Sequence, residues 1–196
     1  MENITGKPQI RSISDLTRSK SLGRVLEVIF LAGLGAVAIL LHARFRSPIN
    51  IPGHHGIEFM ALLLLGRMSS HLKMASSISS LGIGMLLLTP AFGFHNPFMG
   101  FNYMLPGLFL DLYFNLGEKL RRNILFLSVI SGLAYLAVPL SRLIITASTG
   151  YPYGSFIKFG YFLPLFSYGA FGIAGGLLGS GISNIFTRLL SGFSKR

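Results

Sequence analysis

The 196-residue chain is 51% hydrophobic and only 12% charged, with a mean hydropathy of +0.62 and a formal net charge of +11. Soluble domains carry roughly 25% charged residues, so this composition points to an integral membrane protein. The absence of cysteine excludes disulfides, thiolate metal sites and cysteine nucleophiles, and basic residues gathered at the ends of apolar segments favour topology signals and anionic lipid over nucleic acid.

The opening MENITGKPQIRSISDLTRSK is polar and basic with no apolar core, so no cleavable signal peptide is expected, and residues 1–22 are assigned to a cytoplasmic tail. Residues 23–192 are expected to form one all-α domain, a compact bundle of six transmembrane helices with both termini cytoplasmic. A spanning helix needs about 20 apolar residues, fewer when short or tilted forms are allowed. The expected spans are Arg24 to Ala43, Gly56 to Met68, Ser76 to Phe92, Tyr103 to Gly117, Asn123 to Ala147, and a glycine-rich sixth between Phe159 and Leu190. Pro139 predicts a distortion in the fifth span, and Pro90, Pro106 and several glycines interrupt the short ones. With the N-terminus inside, cytoplasmic segments hold 13 lysines and arginines; the outer ones hold Arg44, Arg46, Arg142 and Lys158. That is the positive-inside pattern.

Small residues recur at helical spacing. LAGLGAVA in the first span sets Ala32 four residues before Ala36, with Gly35 and Ala38 widening the strip. Such a strip admits a second helix, from a partner or from the same chain. YGAFGIAGGLLGSG in the last span is expected to pack internally.

Ionisable groups within a membrane are functional candidates by default. Glu27 has Arg24 at i−3 and is read as interfacial. Glu58 opens the second span directly after His54 and His55. Asp111, in GLFLDLYF, has no basic neighbour in sequence, so its partner is a ligand, water or another helix. The outer face gathers further polar and aromatic groups. The first loop carries His42, Arg44, Arg46, Asn50, His54, His55 and Glu58; the third carries His95, Asn96, Phe98, Asn102 and Tyr103; the fifth carries Tyr151, Tyr153, Lys158 and Tyr161. Rings with a few convergent polar groups line small-molecule pockets, although tyrosines also form belts at lipid headgroups. In a pocket, Arg44, Arg46 or Lys158 suits a carboxylate or phosphate, Asp111 or Glu58 suits an amine, and Tyr103, Tyr153 and Phe98 suit a planar ring. His54, His55 and Glu58, completed by His95 or His42, offer metal ligands, but adjacent histidines diverge on a helix and no HExxH spacing exists; no metal and no other cofactor is expected. No Walker loop, GxSxG or acidic magnesium cluster is present, so catalysis is not expected.

This layout resembles the substrate-binding S components of energy-coupling factor (ECF) vitamin importers. SPINIPGHHGIEFMALLLLGR and TPAFGFHNPFMGFNYMLPG are loosely similar to the proline-containing loops of the biotin-binding branch, and FGIAGGLLGSGISNIFTRLL to the family's glycine-rich last helix. Glu2 stands where the cobalt and nickel branches place a metal-binding histidine. The resemblance implies a multi-pass subunit of a bacterial or archaeal cytoplasmic membrane that captures a small water-soluble vitamin or related micronutrient outside, under the first loop. It further implies docking through Ala32, Gly35 and Ala36 onto a transmembrane coupling subunit served by two ATPases. A stand-alone transporter or channel, a metal-ion uptake subunit and an assembly subunit of a larger membrane complex remain as alternatives.

Overall fold

The computed structural model describes residues 20–44, 50–89, 96–116 and 123–193. Arg46, His95, most of the N-terminal tail and the His42 side chain therefore lie outside the description. Among the described residues there are eight helices and no strands, and helix makes up 84% of those residues. They are α1 (Lys20–Arg44), α2 (Gly56–Met68), α3 (Ala75–Leu88), α4 (Met99–Leu116), α5 (Ile124–Tyr135), α6 (Ala137–Thr149), α7 (Gly154–Phe159) and α8 (Phe162–Phe193).

Three helical stretches are long and apolar enough to cross a membrane: Ser21–Leu41, Ile124–Thr149 and Phe162–Phe186. The second is α5 and α6 together. They part at Leu136 because Pro139 lacks an amide hydrogen and its ring crowds the Tyr135 carbonyl four residues back. The distortion expected at Pro139 thus falls one turn before it. Helices α2 and α3, at 13 and 14 residues, reach about 20 Å at 1.5 Å per residue, short of the roughly 30 Å hydrocarbon core. Pro106 does not interrupt α4, which runs through it. The last span begins as two pieces, with Gly160 at φ 68° separating α7 from α8.

Packing divides the helices into two trios, α1–α3–α4 and α2–α5–α8, with α2 also touching α1. Glycine sets both. In the first trio Gly82 leaves no room for a Cβ beside the Ala32 backbone, and Gly107 meets Ser76 and Ser80 in the same way. In the second, Gly172 and Gly176 close α8 onto α5, while Gly175 and Gly179 bring it onto the α2 backbone at Gly56 and Ala61. Close backbone approach replaces the missing hydrophobic drive between helices in lipid. The internal role expected for the last span's glycines is observed. Between the trios lies the core, including Phe59, Leu64, Ile83, Leu110, Tyr135 and Val138. The outward surface is apolar as well, with Ile29, Leu125, Ile144 and Phe166 exposed.

Candidate functional site: a half-buried arginine in a tyrosine cage

Polar groups collect at opposite ends of the bundle. At the end formed by the α2–α3 connection, Arg67 closes α2 and Asp111 projects from α4. Arg67 Nε stands 3.2 Å from Asp111 Oδ1, and Nη1 donates to the Leu72 carbonyl at 2.6 Å. Asp111 also accepts from the Ser76 and Ser77 amides at 3.1 and 2.7 Å and from Ser77 Oγ at 2.7 Å. Those amides are orphan donors in the first turn of α3, so the carboxylate caps that helix and complements its dipole. Asp111, named above as a candidate for an amine ligand, has its oxygens engaged by Arg67 and α3. Glu27 is 2% exposed and accepts from Ser70 Oγ at 2.6 Å and from the His71 amide at 3.3 Å. It is a buried tie between α1 and the α2–α3 connection.

The other end carries residues 50–55, the start of α4, and residues 150–161. Here Arg142, two turns before the end of α6, sits among rings. Its guanidinium carbon lies 5.7, 5.5 and 5.5 Å from the centroids of Tyr103, Tyr153 and Tyr168, and Nη1 donates to the Tyr168 hydroxyl at 2.8 Å. Tyr168 stacks on Tyr135 at 4.8 Å, and Phe59 bridges Tyr135 to Tyr103. Asn102, fully buried, donates to Tyr153 Oη at 3.2 Å and accepts from Ser141 Oγ at 3.0 Å, which orients the cage wall. Ring faces solvate a cation at about 6 Å or less, so the cage accommodates a charge that a membrane interior disfavours.

The first loop lies over these rings. Gly53 adopts φ 82° and packs against the Tyr168 ring so closely that a Cβ would collide with it; Gly56 does the same on Tyr135. Ser167 Oγ fastens the Pro52 carbonyl at 2.7 Å. His54 Nδ1 donates to the Ile51 carbonyl at 2.7 Å and His55 Nδ1 meets Glu58 Oε1 at 2.5 Å, with the two imidazoles 3.9 Å apart. The described polar sequence between α1 and α2 is thus a cover, folded on itself by its histidines and seated on two stacked tyrosines.

Of the residues singled out in the sequence, the structure brings together Asn102, Tyr103 and Tyr153 in the cage wall and His54, His55 and Glu58 in the cover. Arg44 and Asn50 are exposed, Lys158 lies exposed over the Phe159 ring at 5.2 Å, and Asp111 belongs to the opposite end. No group of three metal-ligating side chains occurs among the described residues. In the α1 strip, Gly35 packs against the Ser79 backbone and Ala32 against Gly82, so both meet α3 of the same chain; Ala36 is half-buried. Sequence reasoning missed Arg142, Tyr135, Ser141 and Tyr168. The signal for Arg142 was present: a lone arginine in NILFLSVISGLAYLAVPLSRLIITA.

A small cavity beside the cage is lined by Ala38, Ile39, His55, Phe59, Leu87, Met99 and Tyr103. It has room for about one water, so the cage is packed shut. The chain matches no protein-family model, no curated protein and no solved structure.

Proposed function

We propose that the protein is a substrate-binding membrane subunit of the S-component type, capturing a small water-soluble vitamin or related micronutrient. In this reading the bundle crosses the membrane six times with both termini inside, and the covered tyrosine cage faces out. The observation that supports it is the seating of residues 50–56 on the rings around Arg142: a polar segment, tied by one serine hydroxyl, above a set of buried aromatic and polar side chains. Such rings with few convergent polar groups are what a small-molecule site requires. Release of the cover admits substrate, and its return excludes water. The subunit performs no catalysis and hands its load to a coupling protein driven by two ATPases. On α1, Ala36 and the open surroundings of Gly33 are the small-residue surface left for that partner, since Ala32 and Gly35 meet α3.

The experiment is native mass spectrometry of the full chain, purified in mild detergent from its own membranes. A released small organic molecule, together with co-purifying ATPases, is the expected result. Stable association with unrelated membrane subunits and no small molecule would favour the assembly-subunit alternative.

A further inference from the structure

We propose that Arg142 is the anchor for an oxyanion, carboxylate or phosphate, carried by the small ligand, which lies among Tyr103, Tyr135, Tyr153 and Tyr168 beneath the first loop. The proposal rests on the substrate-binding reading and names the chemistry of its substrate.

Charge accounting leads to it. A guanidinium keeps its proton in proteins, so Arg142 is a permanent cation, half-buried with its Nε shut off from solvent, and a cation withdrawn from water is costly without a counter-charge. The described residues contain three acids, and each is engaged elsewhere: Glu27 with Ser70 and His71, Glu58 with His55, and Asp111 with Arg67 and the first turn of α3. None lies within 4 Å of Arg142.

Hydrogen-bond accounting agrees. Arg142 Nη1 donates to Tyr168, while the buried Nε and the buried Tyr135 hydroxyl, on the ring stacked against Tyr168, reach no acceptor in good geometry, the Tyr103 hydroxyl being the polar group beside both. Buried polar groups in folded proteins are nearly always paired, and each exception asks for a reason. Two orphan donors beside an unneutralised cation are jointly satisfied by an anionic acceptor. The Nε edge of a guanidinium presents two parallel N–H groups that match a carboxylate or phosphate fork. The cavity that Tyr103 shares with the cage holds about one water, so room for the ligand comes from release of residues 50–56.

The test pairs acids with neutral analogues, using the full chain in mild detergent and thermal shift as the readout: nicotinate against nicotinamide, pantothenate against panthenol, biotin against its methyl ester, and pyridoxal phosphate against pyridoxal. A separate titration uses dioleoylphosphatidylglycerol, because a lipid headgroup presents the same phosphate chemistry. At least one acid is expected to stabilise the protein where its neutral analogue does not. Arg142→Gln should weaken that acid on the order of 100-fold, the scale for losing one partner of a buried charged pair, while leaving the unliganded midpoint unchanged or higher. Arg142→Lys, which keeps the charge and loses the fork, should bind with intermediate affinity, and it serves the test if the glutamine variant does not fold.

Acid and neutral forms that bind equally, or an acid shift that survives in Arg142→Gln, would overturn the oxyanion assignment while leaving the substrate-binding reading intact. A lower unliganded midpoint in Arg142→Gln with unchanged ligand affinity would overturn it too, marking the arginine as a packing residue. Arg142-dependent stabilisation by the phospholipid alone, with no response to any soluble compound, would overturn both.

Discussion

Two arginines, the buried Arg67 and the half-buried Arg142, occupy opposite ends of the same bundle and are handled in opposite ways. Arg67 meets a carboxylate at 3.2 Å, a backbone carbonyl at 2.6 Å and the Phe114 ring at 4.9 Å. Arg142 meets three tyrosine rings and one hydroxyl. The first cluster is electroneutral and joins α2, α3 and α4 into one unit. The second retains its charge under a cover held by a single serine. Among the described residues, one arginine is neutralised by a carboxylate and the other is surrounded by tyrosine rings instead.

The largest effect is expected from breaking the neutral end. Asp111→Asn leaves Arg67 buried without its counter-ion, a loss of roughly 3–5 kcal/mol for a buried pair, and should sharply lower the thermal midpoint in detergent. The double variant Arg67→Met/Asp111→Leu removes both charges and should recover more than half of that loss. The remainder reflects the Ser76 and Ser77 amides, which lose their cap. A double variant as unstable as the single one would show that the cap, not the ion pair, dominates.

How much of this was legible before the fold was known differs between the two ends. The helical class, the boundaries of α2 and a distortion associated with Pro139 follow from apolar runs and proline chemistry, which are local, whereas α1 begins at Lys20, four residues before the expected Arg24. That Asp111 needs a partner also follows from sequence, but its partner lies 44 positions away across an α2–α4 contact that no periodicity encodes. Arg142 escaped notice for a physical reason. An arginine near a helix end ordinarily extends along the helix to reach the interface, so it was counted as a topology charge. It is half-buried because Tyr168 of α8 and Tyr103 of α4 close over it, and those two positions converge through glycine-mediated packing of separate trios. The histidines, conspicuous in sequence, serve the cover's own hydrogen bonds.

A matched pair of serine substitutions probes the same contrast at lower cost to the fold. Ser70 Oγ donates at 2.6 Å to the buried Glu27 carboxylate. Hydrogen bonds to charged groups contribute about 1.5–3 kcal/mol, so Ser70→Ala should lower the global midpoint measurably.

Ser167→Ala should not. Its hydroxyl donates to the Pro52 carbonyl at 2.7 Å, a neutral acceptor beside an exposed Ile51, where water can take over the bond. A neutral hydrogen bond is worth roughly 0.5–1.5 kcal/mol, and the loss falls on residues 50–56 rather than on the core. The expected change is therefore local. The amides of Gly56 and Phe59, which close the cover's turn onto the Gly53 and His55 carbonyls, should exchange with solvent about 5-fold faster for each 1 kcal/mol lost, while the α5 and α8 core amides keep their rates. If core exchange rises in step, the cover does not open as a separate unit, and access to the tyrosine cage requires the whole bundle to loosen.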